Sequence, residues 1–229
     1  MYIISMCFNY KVSLLTFTVG TIFSILLMNY GNPIYRTENK ATGLFLIFIS
    51  LIQFMDFLFW IDIDNKIGIN KLTTIGGPIL NVCQPTILYL IKLFYYKPNI
   101  LSLQNYNLPI AVLNIAYFIY FITVYVRFLL TDKLVTSTQD GHLKWPWLKY
   151  ANPYPYLFLF GINIFYLFNF TYGLALFSII YFFLYISRKY FKYSAGELWC
   201  FFGAFVPAIM FFLSFYIDKL DNLLEYISY

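Results

Sequence analysis

The sequence predicts an all-α polytopic integral membrane protein, a seven-transmembrane-helix bundle with six helices as the alternative. Hydrophobic residues make up 61% of the 229 and charged residues only 11%, too little polar surface to clothe a soluble core. Apolar runs of about 20 residues, the length that crosses a bilayer core, recur between short polar loops. Aromatics reach 24%, nearly all Phe and Tyr, residues that pack helices and anchor them at membrane interfaces.

Taken in order, the first run covers 12–30 and is followed by the turn GNPIYRTENK. No small-x-small cleavage pattern follows it, so it is expected to remain as an anchor rather than leave as a signal peptide. The second run, 41–61, ends at DIDNKIGINK; the third, 73–95, at YKPNILSLQNYN; the fourth, 108–130, at the longest loop, 131–152. The run 195–217 is the last. Residues 155–187 contain no charge, a stretch too long for one untilted crossing and barely enough for two. A hairpin turning at NFTYG (169–173) gives spans 155–169 and 172–187. The tail 218–229 places Leu220, Leu223, Leu224 and Ile227 on one side of a short amphipathic pattern.

Charge distribution favours the hairpin. With seven crossings, one side holds Lys11, Lys66, Lys71, Lys133, Lys144, Lys149, Arg188, Lys189 and Lys192, and the other only Arg36, Lys40, Lys97 and Lys219. The positive-inside rule then puts the N-terminus in the cytoplasm. Read as a single helix, 155–187 leaves the two sides nearly equal. The net charge of +5 is scattered singly and in pairs, so no nucleic-acid surface is expected. Cys7, Cys83 and Cys200 have neither metal spacing nor a disulfide framework.

Polar residues inside lipid need partners. Ser50, Gln53, Asp56 and Trp60 share one helical stripe, and Gly77, Asn81, Gln84, Leu88 and Lys92 form another on the third span. Gln53 and Asn81 each lie roughly 12 Å from the loop between their spans, so an amide pair between them is expected. Pro85 frees the carbonyl of Asn81 and adds a polar spot. Arg127 and Glu197 sit near the cytoplasmic ends of their spans, where an Arg127–Glu197 or Arg127–Asp56 pair is one outcome and snorkelling of Arg127 and Lys92 the other. Asp56 is either a structural hydrogen-bond partner or part of an ion, proton or ligand path.

The long loop carries TQDGHLKWPWLKYANPYP, with the only histidine, His142, near Trp145 and Trp147. The two tryptophans are expected to anchor the loop at the interface, and His142 lacks a second metal ligand at suitable spacing. Thr16, Gly20 and Ser24 recur every four residues, as do Gly196 and Cys200, with Gly203 and Pro207 further along the same run; such lines let helices approach closely.

In LIQFMDFLFW (51–60), GPILNVCQP (77–85), GHLKWPW (141–147) and ELWCFF (197–202), the chain resembles a group of multi-pass membrane proteins of mimivirus-like giant DNA viruses and protists. The resemblance implies a viral or protist origin and a carboxylate near the position of Asp56; it implies no activity.

The function expected is that of a small transporter, channel or receptor-like bundle, with Gln53, Asp56, Asn81 and Gln84 lining a cytoplasm-facing cavity and Arg127 and Glu197 at its mouth. The alternative is a structural or interaction protein of a viral or host membrane. No paired carboxylates, His clusters or Ser/His sets occur at catalytic spacing, so an enzyme ranks last and no metal or cofactor is expected. The partners expected are the lipid bilayer, a small ligand or ion, and a second copy of the chain.

Overall fold

The structure, a computed structural model, describes residues 9–103, 106–139, 142–190, 201–217 and 219. It is all-α apart from one short hairpin. The helices are α1 (Tyr10–Tyr30), α2 (Arg36–Ile61), α3 (Ile69–Val82), α4 (Gln84–Tyr96), α5 (Asn107–Thr131), α6 (Pro153–Leu167), α7 (Phe170–Tyr190) and α8 (Val206–Leu213). Strands β1 (Ser137–Gln139) and β2 (His142–Lys144) pair antiparallel in the long loop.

Local chemistry sets the ends of the first hairpin. The Asn9 side chain accepts from the backbone N–H groups of Lys11 and Val12 at 3.0 and 3.2 Å, capping α1. A 3-10 turn at Pro33–Tyr35 joins α1 to α2. The contact face of α1 is its line of small residues, Ser13, Thr16, Gly20 and Ser24, all buried. A Cβ on Gly20 would collide with Ser50 Oγ and lie 3.2 Å from the Ala204 carbonyl, so only glycine lets α1, α2 and the chain before α8 meet here. Central to the bundle is α2, which packs on α1, α3, α4 and α8 and buries Phe45, Leu46, Ile49, Ile52 and Phe59.

Among the described residues, four stretches are long and apolar enough to cross a membrane: Tyr10–Tyr30, Pro33–Ile61, Asn107–Thr131 and Phe170–Lys189. The pair α3 and α4 makes a fifth if counted as one bent span. Their outer faces are apolar. Along α5, Val112, Ile115, Ile119, Ile122, Val126 and Leu130 are exposed at helical spacing, the pattern of a lipid-facing side.

Two of the expected spans are interrupted. The run 73–95 is not one helix, because α3 and α4 meet at Cys83 with a bend of 61°. Pro85 has no N–H to give the Asn81 carbonyl, and the ladder is interrupted at Cys83, which stands between the helices at φ −80°, ψ 0°. The run 195–217 is interrupted in its described part at Ala204–Phe205, where the N–H groups bond three residues back, to Phe201 and Phe202. Pro207 supplies the same cause. The uncharged stretch 155–187 divides into α6 and α7, with Phe168 and Asn169 between them. Glu197 and most of the tail 218–229 lie outside the described residues, as does most of the line Gly196, Cys200 and Gly203.

Candidate functional site

Where α3 stops and α4 starts, carbonyl oxygens are released from the helix ladder, and buried carbonyls need donors. Side chains of α4, α5 and α6 meet at this break. Tyr117 Oη donates to the Val82 carbonyl at 2.8 Å, and Asn163 Nδ2 to the Pro85 carbonyl at 2.7 Å. Gln84 Nε2 reaches back to the Leu80 carbonyl at 3.3 Å, while its Oε1 accepts from Tyr156 Oη. Higher on α3, Tyr125 Oη donates to the Ile75 carbonyl at 3.1 Å.

Behind this shell, Asn114 and Asn163 bond each other reciprocally, Nδ2 to Oδ1, at 3.1 and 2.9 Å. Both are buried, as is Gln84. The set consists of amides and phenols, without a carboxylate or imidazole among them. It binds backbone and ties α4, α5 and α6 to one another.

Beside this junction, between the ends of α4, α5 and α6, a cleft of about 1060 Å³ opens. Tyr166 Oη donates to Asn107 Oδ1 at 2.8 Å, and Asn107 Nδ2 to the Asn99 carbonyl at 3.0 Å, tying the α4–α5 loop to α6 along the cleft floor.

Gln53 and Asp56 occupy a different place. Thr16 Oγ1 donates to Gln53 Oε1 at 2.7 Å, and Gln53 Nε2 lies 3.5 Å from Asp56 Oδ2. Both residues are buried, and Asp56 takes part in further interactions. The expected pairing of Gln53 with Asn81 is therefore replaced by Gln53 with Thr16, because the face of α2 that carries Gln53 turns to the small-residue face of α1. Asn81 is half-buried on α3. Trp60 is half-buried against the core. Arg127 is exposed on α5, with its guanidinium 5.6 Å from the Tyr150 ring centroid, so no pair with Asp56 forms. The pair with Glu197 lies outside the described residues. The cleft does not touch Gln53, Asp56, Asn81 or Gln84.

The loop tryptophans are packed inward against the helices rather than exposed. Trp145 and Trp147 are 4% and 1% exposed and stack with ring centroids 5.2 Å apart. Trp147 lies over Gly77 of α3, between Phe59 and Phe128, in the space a Cβ at Gly77 would need. An anchor would hold its indole N–H toward headgroups; these two N–H groups are buried without an acceptor among the described residues. His142 pairs through its backbone with Gln139 in the hairpin.

Two further polar clusters join distant segments. At the end of α2, Asp62 accepts from the N–H groups of Lys66 and Ile67 with Oδ1, at 2.7 and 3.2 Å, and of Asn70 with Oδ2, at 3.2 Å. Burial alone would push its carboxyl up; the N–H groups of Asn70, Ile67, Lys66 and Ile69 outweigh that and hold it below its ordinary value. Asn70 in turn grips Thr136, donating to its carbonyl and accepting from its N–H, both at 2.8 Å, and Thr74 Oγ1 lies 2.9 Å from Thr136 Oγ1. At the opposite end of α2, Asn39 donates to the Asn32 carbonyl at 2.9 Å and accepts from Tyr172 Oη at 3.0 Å. Each cluster joins residues far apart in the chain, Asn70 with Thr136 and Asn39 with Tyr172, so neither stands out in the sequence.

In comparisons with known proteins, the chain matches no family model, no curated protein and no solved structure.

Proposed function

We propose that this chain is a multi-pass membrane protein that binds or moves a small ligand, a transporter- or receptor-like bundle whose working element is the broken helix α3–α4. One observation carries the reading: the break is buried, and side chains of other helices, Tyr117 and Asn163, donate to carbonyls on either side of it, those of Val82 and Pro85. Helices interrupted at membrane depth are tolerated where protein or a cavity satisfies them, and they recur where transporters bind substrate. Side-chain bonds of this kind exchange more readily than a helix ladder, which makes the break the natural place for α3 and α4 to change angle.

Within this proposal seven segments cross the bilayer and the N-terminus is cytoplasmic. The α6–α7 turn supports it: Tyr172, just past the turn, bonds Asn39, which bonds Asn32 in the α1–α2 turn, so both turns lie at one end of the bundle. The opposite end carries Lys66, Lys71, Lys133, Lys144 and Lys149. A viral or host membrane is proposed as its location on the resemblance of the stretches 51–60, 77–85, 141–147 and 197–202 to proteins of giant DNA viruses and protists.

A second reading, a structural or interaction protein of that membrane, is favoured by the Thr16–Gln53–Asp56 chain, in which both ends of the Gln53 amide are engaged and α1 is locked to α2. Cys83 separates the two. It sits in the break and is 6% exposed. With Cys7 and Cys200 replaced by Ala and the protein in liposomes, a working break lets a membrane-impermeant thiosulfonate reach Cys83 at a measurable rate. A purely structural bundle leaves Cys83 inert until the protein is unfolded.

A further inference from the structure

Lys92 stands in the last turns of α4 on the wall of the cleft. A lysine one turn from a helix end can extend to the headgroups. Lys92 instead holds its ammonium in an aromatic corner, 4.1 Å from the Tyr96 ring centroid and 5.0 Å from that of Tyr166. It is half-buried, and among the described residues no carboxylate lies within 4.0 Å of it, the Glu38 carboxylate of α2 acting on it from farther off. Cation–π contacts steady such a charge without neutralising it.

The rest of the cleft is two-faced. Asn99 and Asn107 supply amides, and Ile110, Ile162 and Phe165 supply apolar surface. Phe165 is 39% exposed, on the outside of the bundle. The adjoining loop holds Leu101, Leu103 and Tyr106 out at 81%, 75% and 74% exposure, an apolar lip for a bilayer surface. A pocket with one cation, a few amides and apolar surface beside an exposed apolar lip matches a molecule with one anionic end and a hydrocarbon chain.

We propose that this cleft binds an anionic lipid, its carboxylate or phosphate head against Lys92 and its acyl chain along Ile110, Ile162 and Phe165. The inference rests on the reading of the chain as a ligand-handling membrane bundle and gives the ligand class. Entry is from the bilayer, past the apolar lip, rather than from water.

The test uses the full chain in mild detergent and a phosphatidate carrying a photoactivatable diazirine in one acyl chain, with the matching phosphatidylcholine probe as control. The expected result is phosphatidate labelling about tenfold above the control, the worth of one well-desolvated charge pair, mapped to peptides of α4 to α6. Lys92→Met brings phosphatidate labelling down to the control, Lys92→Arg keeps it, and Ile162→Trp lowers labelling by both probes by filling the apolar side. Should Lys92→Met fail to fold, Ile162→Trp and the probe preference of the wild-type chain decide the matter. Equal labelling of wild type by the two probes, or labelling untouched by Ile162→Trp, overturns the proposal. So does full competition by millimolar inorganic phosphate, which makes the site one for a free anion. Cys83 reactivity measured on the same chain in liposomes keeps the two proposals apart: loss of the lipid preference with Cys83 still reactive removes the lipid site alone.

Discussion

Asn114 and Asn163 meet across α5 and α6 and exchange hydrogen bonds, each amide donating to the other, while Asn163 also donates to the Pro85 carbonyl in the break. Removing either partner strands the other. Asn114→Leu or Asn163→Leu is expected to cost about 1–3 kcal/mol, the penalty of an unpaired buried polar group. The double variant should cost less than the sum, with a coupling of about 0.6–1.7 kcal/mol, the range for polar pairs between membrane helices. Unfolding of the four proteins in mixed detergent measures this; strictly additive losses would show that the two amides do not act together.

Trp147 fills the space over Gly77. Gly77→Ala puts a methyl group into the indole ring, and overpacking of this kind is expected to cost about 1–3 kcal/mol. Pairing Gly77→Ala with Trp147→Leu should recover part of the loss relative to Trp147→Leu alone. Thermal unfolding followed by tryptophan fluorescence would read the single variant; an unchanged midpoint there removes the close contact from the account.

Thr16→Val keeps the shape of the side chain but leaves Gln53 Oε1 without its donor. The expected loss is about 0.6–1.7 kcal/mol, with Gly20→Ala larger because it forces α1 away from Ser50. If Thr16→Val is as stable as wild type in the detergent titration, the α1–α2 lock does not depend on this bond.

Asp62 makes the fold sensitive to acid. Its carboxyl lies below the ordinary value of 3.8 in the folded chain, so its charge stabilises the folded state above the unfolded pKa, and that contribution is lost as pH falls through the folded pKa. The stability margin of wild type over Asp62→Asn should therefore be constant at neutral pH and shrink below about pH 4, where an unfolded aspartate starts to protonate. Denaturation of both proteins across that range tests it; a margin that grows on acidification contradicts the assigned donors.

The fold was legible where hydropathy and length decide it. The runs read as 12–30, 41–61 and 108–130 correspond to α1, α2 and α5, and the break in 155–187 falls close to the turn read at 169–173. Partner choice was not legible. Gln53 and Asn81 stand at similar depth, yet pairing depends on how each helix is rotated, and the small side chains of α1 draw the Gln53 face toward Thr16. Pro85 was legible as freeing one carbonyl, but not as ending a helix, nor was it legible that Tyr117 and Asn163 would bond there, since a lone Tyr or Asn in an apolar run looks the same whether it faces lipid or backbone. Trp145 and Trp147 read as interfacial by residue type. The burial of Trp147 depends on Gly77, 70 positions away in the chain, leaving a hollow of the right size.

The most direct test of the account is the side of the membrane on which the α6–α7 turn lies. Single cysteines at Ile34, Lys133 and Asn169, in a chain with Cys7, Cys83 and Cys200 replaced, can be labelled with an impermeant maleimide in sealed vesicles of known orientation. The account predicts that positions 34 and 169 label from one side and position 133 from the other. Labelling of 169 from the side of 133, or from neither side, would contradict the seven-crossing bundle on which the proposed function stands.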